Sequence, residues 1–231
     1  MPMASWLVTE APSRFEELAV PEAVKQTLLS TSTSADPPHL MITGPAGVGK
    51  TACWRLFARQ ILGPGWKSTT HILQARDLVR QRGAMATFEE FLRPSGSEKD
   101  TLAGRTSLDA FDRGISISNP EEVAPAGSEV EVKIGTIPIS RLIVIEDADH
   151  LGHIRQAYLR RMMETVGAAS RFVLIARAPS RIIDALRSRS QMIRIPSTGR
   201  DIITTTLSEI AERNGCEPAD GVLEDIAYIS D

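Results

Sequence analysis

Cysteine is scarce in this 231-residue chain. Cys53 and Cys216 lie far apart, and two such residues make neither a disulfide framework nor a metal quartet. A reducing, cytoplasmic setting is therefore expected. Aromatic residues are few, at 5%. No apolar run approaches the roughly 18 to 20 residues of a membrane span. The start, Met1-Pro2-Met3-Ala4-Ser5-Trp6, lacks the charged-then-apolar design of a signal peptide, so neither membrane insertion nor export is expected. The four histidines, His39, His71, His150 and His153, show no motif for a catalytic metal, and no Ser-His-Asp or Cys-His grouping can be defended. What remains, 42% hydrophobic and 24% charged residues, is the composition of a soluble globular protein of one generous domain or one and a half.

A large net charge is absent too, the sum being −3, which argues against a protein that grips nucleic acid over its whole surface. The distribution is uneven. Thr87 to Glu131 holds 4 basic and 10 acidic residues, whereas Arg141 to Arg200 holds 11 basic and 5 acidic, every basic one an arginine. A guanidinium fork binds phosphate or carboxylate two bonds at a time. This segment therefore suits a nucleotide, a nucleic acid or an acidic neighbour, or it is a solvated charged face.

Short apolar runs alternate with helical patterns, as in a parallel α/β sheet. Candidate strands are His39 to Thr43, Thr70 to Gln74, Arg141 to Glu146, Phe172 to Arg177 and Met192 to Ile195. Helices are expected over Lys50 to Leu62, Ile154 to Val166, Asp201 to Arg213 and Val222 to Ile229. The second of these presents Ile154, Tyr158, Met162 and Val166 at four-residue spacing as its apolar row, and Met162 and Met163 are most simply core. Between Arg93 and Ser140, 16 of 48 residues are Gly, Pro or Ser, the mark of an insertion or long loop. Within it, Val130-Glu131-Val132-Lys133-Ile134 alternates like a half-buried hairpin strand. Residues 1–196 read as one α/β domain, and 197–231 as the beginning of a second, small helical domain that is cut off.

Gly44-Pro45-Ala46-Gly47-Val48-Gly49-Lys50-Thr51 fits the GxxxxGK[ST] pattern, and it lies after a strand and before a helix, as that pattern requires. Glycines let backbone N–H groups turn inward around phosphates, the helix N-terminus adds a favourable dipole, and Lys50 brings positive charge to the outer phosphates. Thr51 is expected to place its hydroxyl on Mg²⁺. A carboxylate at the end of a nearby strand must then hold the metal through water, and a second one orients the attacking water. Leu142-Ile143-Val144-Ile145-Glu146-Asp147-Ala148-Asp149 supplies an apolar strand ending in acids.

The phosphate loop, this acidic strand, Leu159-Arg160-Arg161-Met162-Met163-Glu164, Arg171-Phe172-Val173-Leu174 and Arg187-Ser188-Arg189 together resemble the small subunits of archaeal and eukaryotic replication factor C, which are AAA+ sliding-clamp loaders. The likeness covers nearly the whole chain apart from 93–140. Trp6 and Pro12 keep the spacing of the family's N-terminal segment, with Val8-Thr9-Glu10-Ala11 in place of its polar middle. It implies a three-layer AAA+ ATP-binding core, ATP and Mg²⁺ as cofactors, and other clamp-loader subunits, a sliding clamp and primer-template DNA as partners. It also implies a role in trans for Arg189, at the γ-phosphate held by a neighbouring subunit; from spacing alone this is an ordinary surface or capping arginine. Arg160 and Arg161 would follow the DNA backbone, or Arg160 would pair with Glu164.

Three positions depart from the family. Its acidic strand ends Asp-Glu, whereas this one ends Glu146-Asp147, one methylene longer at the metal and one shorter at the water. Its γ-phosphate-sensing asparagine is Arg177 here, a permanent charge. Ser190 replaces a cysteine. These changes resemble a divergent second type of archaeal small subunit, and the expected consequence is weak hydrolysis of the chain's own ATP. A nucleotide-holding structural subunit, or another AAA+ replication or repair machine, stands as the alternative.

Overall fold

The computed structural model describes residues 9–92, 106–107, 124–127, 139–165 and 169–230. Trp6, Val8, Val166 and the alternating segment Val130 to Ile134 lie outside them. The elements run α1 (Glu22–Ser32), β1 (His39–Thr43), α2 (Lys50–Leu62), α3 (Trp66–Thr69), β2 (Thr70–Gln74), α4 (Ala75–Val79), α5 (Ala84–Leu92), β3 (Thr106–Ser107), β4 (Arg141–Glu146), α6 (Gly152–Thr165), β5 (Ser170–Ala176), α7 (Asp184–Arg187), β6 (Ser190–Arg194), α8 (Arg200–Arg213) and α9 (Val222–Ile229). The sheet order is β3-β2-β4-β5-β1-β6. All pairs are parallel except that of β2 with the two-residue β3.

Side chains alternate across a strand, and here both faces are apolar because both are covered. Leu40, Ile42, Leu142, Val144, Val173 and Ile175 face a layer formed by α1 and α2, with Leu28, Trp54 and Phe57 at its centre. Met41, Ile143, Ile145, Phe172 and Leu174 face the opposite layer, built by α4, α5, α6 and α7 through Leu78, Phe88, Leu159 and Leu186. The result is three layers, helix on sheet on helix. The segment at 124–127 returns to the first layer, where Ala126 N–H donates to Gln60 Oε1 at 2.9 Å.

Strands β1, β2 and β4 and helices α2 and α9 have the limits that the sequence pattern predicts. β5 and β6 each begin two residues earlier than expected, on polar residues that an apolar pattern does not reveal. Arg171 in β5 is buried because its guanidinium donates to the carbonyls of Pro37 and Ser170 and pairs with Asp36. On α6 the apolar row is a different one from that expected. Gln156, Leu159 and Met163 are buried, Tyr158 and Met162 flank them, and Ile154 is 78% exposed. Helices α8 and α9 pack on each other, with the Arg200 guanidinium 4.6 Å over the Tyr228 ring. Glu10 ties them back, accepting from Asn214 Nδ2 at 3.0 Å and pairing with Arg213 at 3.4 Å. Among the described residues no helix is long and apolar enough to cross a membrane.

His39 opens β1 with its Nδ1 accepting the Phe172 N–H at 3.1 Å and its ring edge-on to Phe172. Burial, reinforced by the charge of Arg171, lowers its pKa from 6.5 to about 4. Between those two values the unfolded chain binds the proton and the folded chain does not, so stability falls as pH drops through this window. The loss attributable to His39 is about 3 kcal/mol. Urea unfolding at pH 6.5 and pH 4 should show it, and His39→Asn should remove most of the difference; an unchanged difference in the variant would exclude His39 as its source.

Candidate functional site

The loop Gly44 to Gly49 joins the carboxyl end of β1 to the start of α2. Its first residue lies against neighbouring backbone: Gly44 N–H donates to the Ala176 carbonyl at 3.3 Å, and a Cβ added at Gly44 would collide with the Ile195 carbonyl oxygen. Gly47 and Gly49 hold φ of 82° and 85°, where L side chains are strained. Pro45 and Ala46 carry the loop outward, and Val48 turns its side chain into the core under α2. Lys50 Nζ donates to the carbonyls of Gly44, at 2.9 Å, and Pro45. The ammonium thus stands over the loop and not out in solvent. Burial holds its pKa below the usual lysine value, Arg177 adds to the depression, and Asp147, Asp149 and Glu146 oppose it.

The acids stand beside this loop because β4 lies one strand away from β1, across β5. Glu146 is the register partner of Gln74. Its Oε2 accepts from Gln74 Nε2 at 2.5 Å and its Oε1 from the indole N–H of the buried Trp54 at 3.4 Å. Asp147 takes a left-handed backbone conformation, φ 50° and ψ 41°, which turns its carboxylate between two guanidinium groups. Arg76 Nε is 3.4 Å from Oδ2, and Arg177 Nε is 3.9 Å from Oδ1. Asp149 is buried and accepts the Ala178 N–H at 3.2 Å, pinning the chain just beyond Arg177.

The structure therefore brings together Lys50, Glu146, Asp147, Asp149 and Arg177, all named from the sequence, and adds Trp54, Gln74 and Arg76. None of these three belongs to a motif; the sheet order, which sets β2 against β4, reveals Gln74 and Arg76, and the packing of α2 on the sheet reveals Trp54. Mg²⁺ finds a fitting donor set. The Thr51 hydroxyl lies at the exposed start of α2, and each Glu146 oxygen accepts one hydrogen bond and retains a lone pair for a metal-bound water. Asp147, Asp149 and His150 also group their donor atoms within 4.8 Å, but the two guanidinium groups on Asp147 oppose a cation there.

Arg189 is not part of this cluster. It follows α7, two residues beyond its last turn, and precedes β6, whose Ser190 pairs with His39. That is the opposite edge of the sheet from the loop, about 13 Å of strand away. Its Nη1 donates to the Ala185 carbonyl at 2.9 Å and its Nη2 pairs with Glu164 at 2.5 Å. Glu164 is thus engaged by Arg189 and not by Arg160. On the outer face of α6, Arg160 is exposed and Arg161 lies 4.8 Å over the Tyr158 ring.

A parallel sheet with a phosphate loop at the carboxyl end of β1 and acids at the end of β4 defines the chain as a P-loop ATPase fold of the AAA+ type. A point variant of RuvB from Thermotoga maritima has this fold, with a TM-score of 0.58 and 16% identity over 94% of this chain and 59% of that one. Within the class the chain is similar to replication factor C small subunits. It is 29% identical over 221 residues to replication factor C small subunit 2 of Pyrobaculum islandicum, 30% over 232 to replication factor C subunit 5 of Schizosaccharomyces pombe, and 28% over 231 to the small subunit of Halobacterium salinarum. These alignments take in 96 to 98% of this chain and 57 to 60% of the relatives. No protein-family model matches it.

Gly44→Ala should lower the unfolding free energy by roughly 1 to 3 kcal/mol through overpacking against the Ile195 carbonyl. A chemical denaturation midpoint equal to that of the parent chain would show that the contact relaxes freely.

Proposed function

We propose that this chain is an ATP-binding small subunit of a replication factor C-like clamp loader, working with other loader subunits to place a sliding clamp on primer-template DNA. The likeness to replication factor C small subunits across 96% or more of the chain carries the reading, and the geometry of the loop edge supports it. Backbone amides of Gly44 to Thr51 would surround the phosphates, with Lys50 on the outer ones. Thr51, and Glu146 through water, would hold Mg²⁺, which when bound neutralises charge on the outer phosphates. Arg177, next to the loop, faces the same phosphates.

Arg189 is too far from its own loop to serve it, which favours action on a nucleotide held by a neighbouring subunit. Arg160 and Arg161, exposed on one turn of α6, suit the sequence-independent contacts that phosphate backbones make. The helices α8 and α9 form the start of a lid, with the boundary at residue 196. Binding of ATP at the subunit seam would favour an assembly able to hold the open clamp, and hydrolysis would release it.

A second reading, of a nucleotide-holding subunit with little turnover of its own, is favoured by one observation. Asp147, the acid placed to activate water, is held between Arg76 and Arg177, one guanidinium at each of the oxygens that an attacking water would approach. Steady-state ATPase of the assembled complex, with Lys50→Ala in this chain alone, separates the two.

Lys50→Ala should weaken ATP binding by about 10- to 100-fold, the worth of one charge-assisted contact. Arg189→Ala should leave this chain's own ATP affinity intact and lower turnover at the site it serves by roughly 10³-fold; unchanged turnover of the complex would refute the trans role. Replacing both Arg160 and Arg161 by alanine should reduce the salt slope of DNA binding by about 1 for each lost phosphate contact, and an unaltered slope would remove them from the DNA path.

A further inference from the structure

Arg76 has no part in nucleotide binding in the reading above, yet it completes a row of charges along the loop-bearing edge. β2, β4, β5 and β1 lie side by side in that order. Just past their ends come Arg76, Asp147, Arg177 and Gly44 in turn. Arg177 emerges beside the loop because the carbonyl of the preceding Ala176 accepts the Gly44 N–H. Across Asp147 from it stands Arg76, whose buried Nε has an ionic contact with Asp147 but no hydrogen-bond acceptor. The side chains of Arg76 and Arg177 are 41% and 51% exposed, so neither is locked into the core, and each guanidinium has donors beyond the Nε that approaches Asp147.

Two guanidinium groups together carry the charge of one divalent cation. Ion pairs between half-exposed groups are weak, whereas a phosphate offers oxygens that two arginine forks can each meet with paired, charge-assisted bonds. Resting on the phosphate-loop reading of Gly44 to Thr51, we propose that Arg76 and Arg177 take the terminal phosphate of a nucleoside triphosphate between them in exchange for Asp147, so that this chain holds ATP with little dependence on Mg²⁺. A diphosphate, lacking the terminal group, leaves Asp147 in place and gains nothing from the pair.

Calorimetric titration of the full chain with ATP, once in excess Mg²⁺ and once in EDTA, tests this. The expected ratio of the two dissociation constants is below about tenfold for the parent chain. For the double variant Arg76→Ser, Arg177→Asn it should rise to roughly 100-fold, the variant binding well only with the metal. Asp147→Asn, which removes the internal competitor, should bind ATP more tightly than the parent in EDTA. Because each ratio is taken within one protein, a modest loss of folded material in a variant does not disturb it. A parent ratio above tenfold, or a double variant with the parent's ratio, overturns the arginine assignment alone. Absence of ATP binding in both buffers overturns the phosphate-loop reading itself.

Discussion

Parallel hydrogen bonding among β2, β4, β5 and β1 is the constraint on which the site depends. Each parallel strand ends at the same edge, so four chain segments far apart in sequence deliver their first loop residues side by side. The pairing is held in register by side chains buried on both faces, since a slip by one residue would exchange the residues facing α1 and α2 for those facing α5 and α6. Position within the row is therefore decided by the core and not by the polar residues themselves. The polar residues are free to specify chemistry because packing has already specified place.

Trp54 joins the two halves of the site in a single side chain. It sits one turn beyond Lys50 on α2, fully buried, and its indole N–H reaches Glu146 at the end of β4. Gln74 reaches the same carboxylate from β2. The start of α2, which in the proposed function would face the phosphates, and the acid that would face the metal are thus referred to one aromatic ring. A buried indole N–H wants an acceptor, and an acid at a sheet edge must be held if it is to act through water. The contact satisfies both needs, and it joins elements 92 residues apart in the chain.

Most of this architecture was legible in the sequence where apolar character alone decides it. Leu40 to Ile42 and Leu142 to Ile145 are buried on both faces, so their runs are continuous and their limits unmistakable. Residues whose burial depends on a distant partner were not legible. Arg171 extends β5 because Asp36 and the Pro37 carbonyl receive it. Gln156 takes a core position on α6 because its amide donates to the Arg181 carbonyl at 2.9 Å and accepts the Ile183 N–H at 2.8 Å. Four-residue spacing from Ile154 described a possible stripe, but a helix offers several such rows, and the one containing Gln156 wins by satisfying two backbone groups. For the site the same distinction holds. The phosphate-loop pattern and the acids that end β4 are each contiguous in sequence and so visible there, whereas Arg76 and Gln74 become neighbours of those acids only through the strand order.

The pairing of Arg189 with Glu164 bears on its proposed role in trans. Both groups are more than a third exposed, at 37% and 40%, and ion pairs in that setting are worth about 0 to 1 kcal/mol. A guanidinium placed on a phosphoryl group in a seam closed to water gains more than this, because the dielectric there is lower and the partner carries more charge. Glu164 therefore holds the arginine without committing it, and under the proposed role the exchange of this carboxylate for a phosphate at a subunit boundary would run downhill. The backbone is consistent with that proposal: Arg189 leaves the edge of the sheet opposite its own loop, so a phosphate it reached would not be one held by that loop.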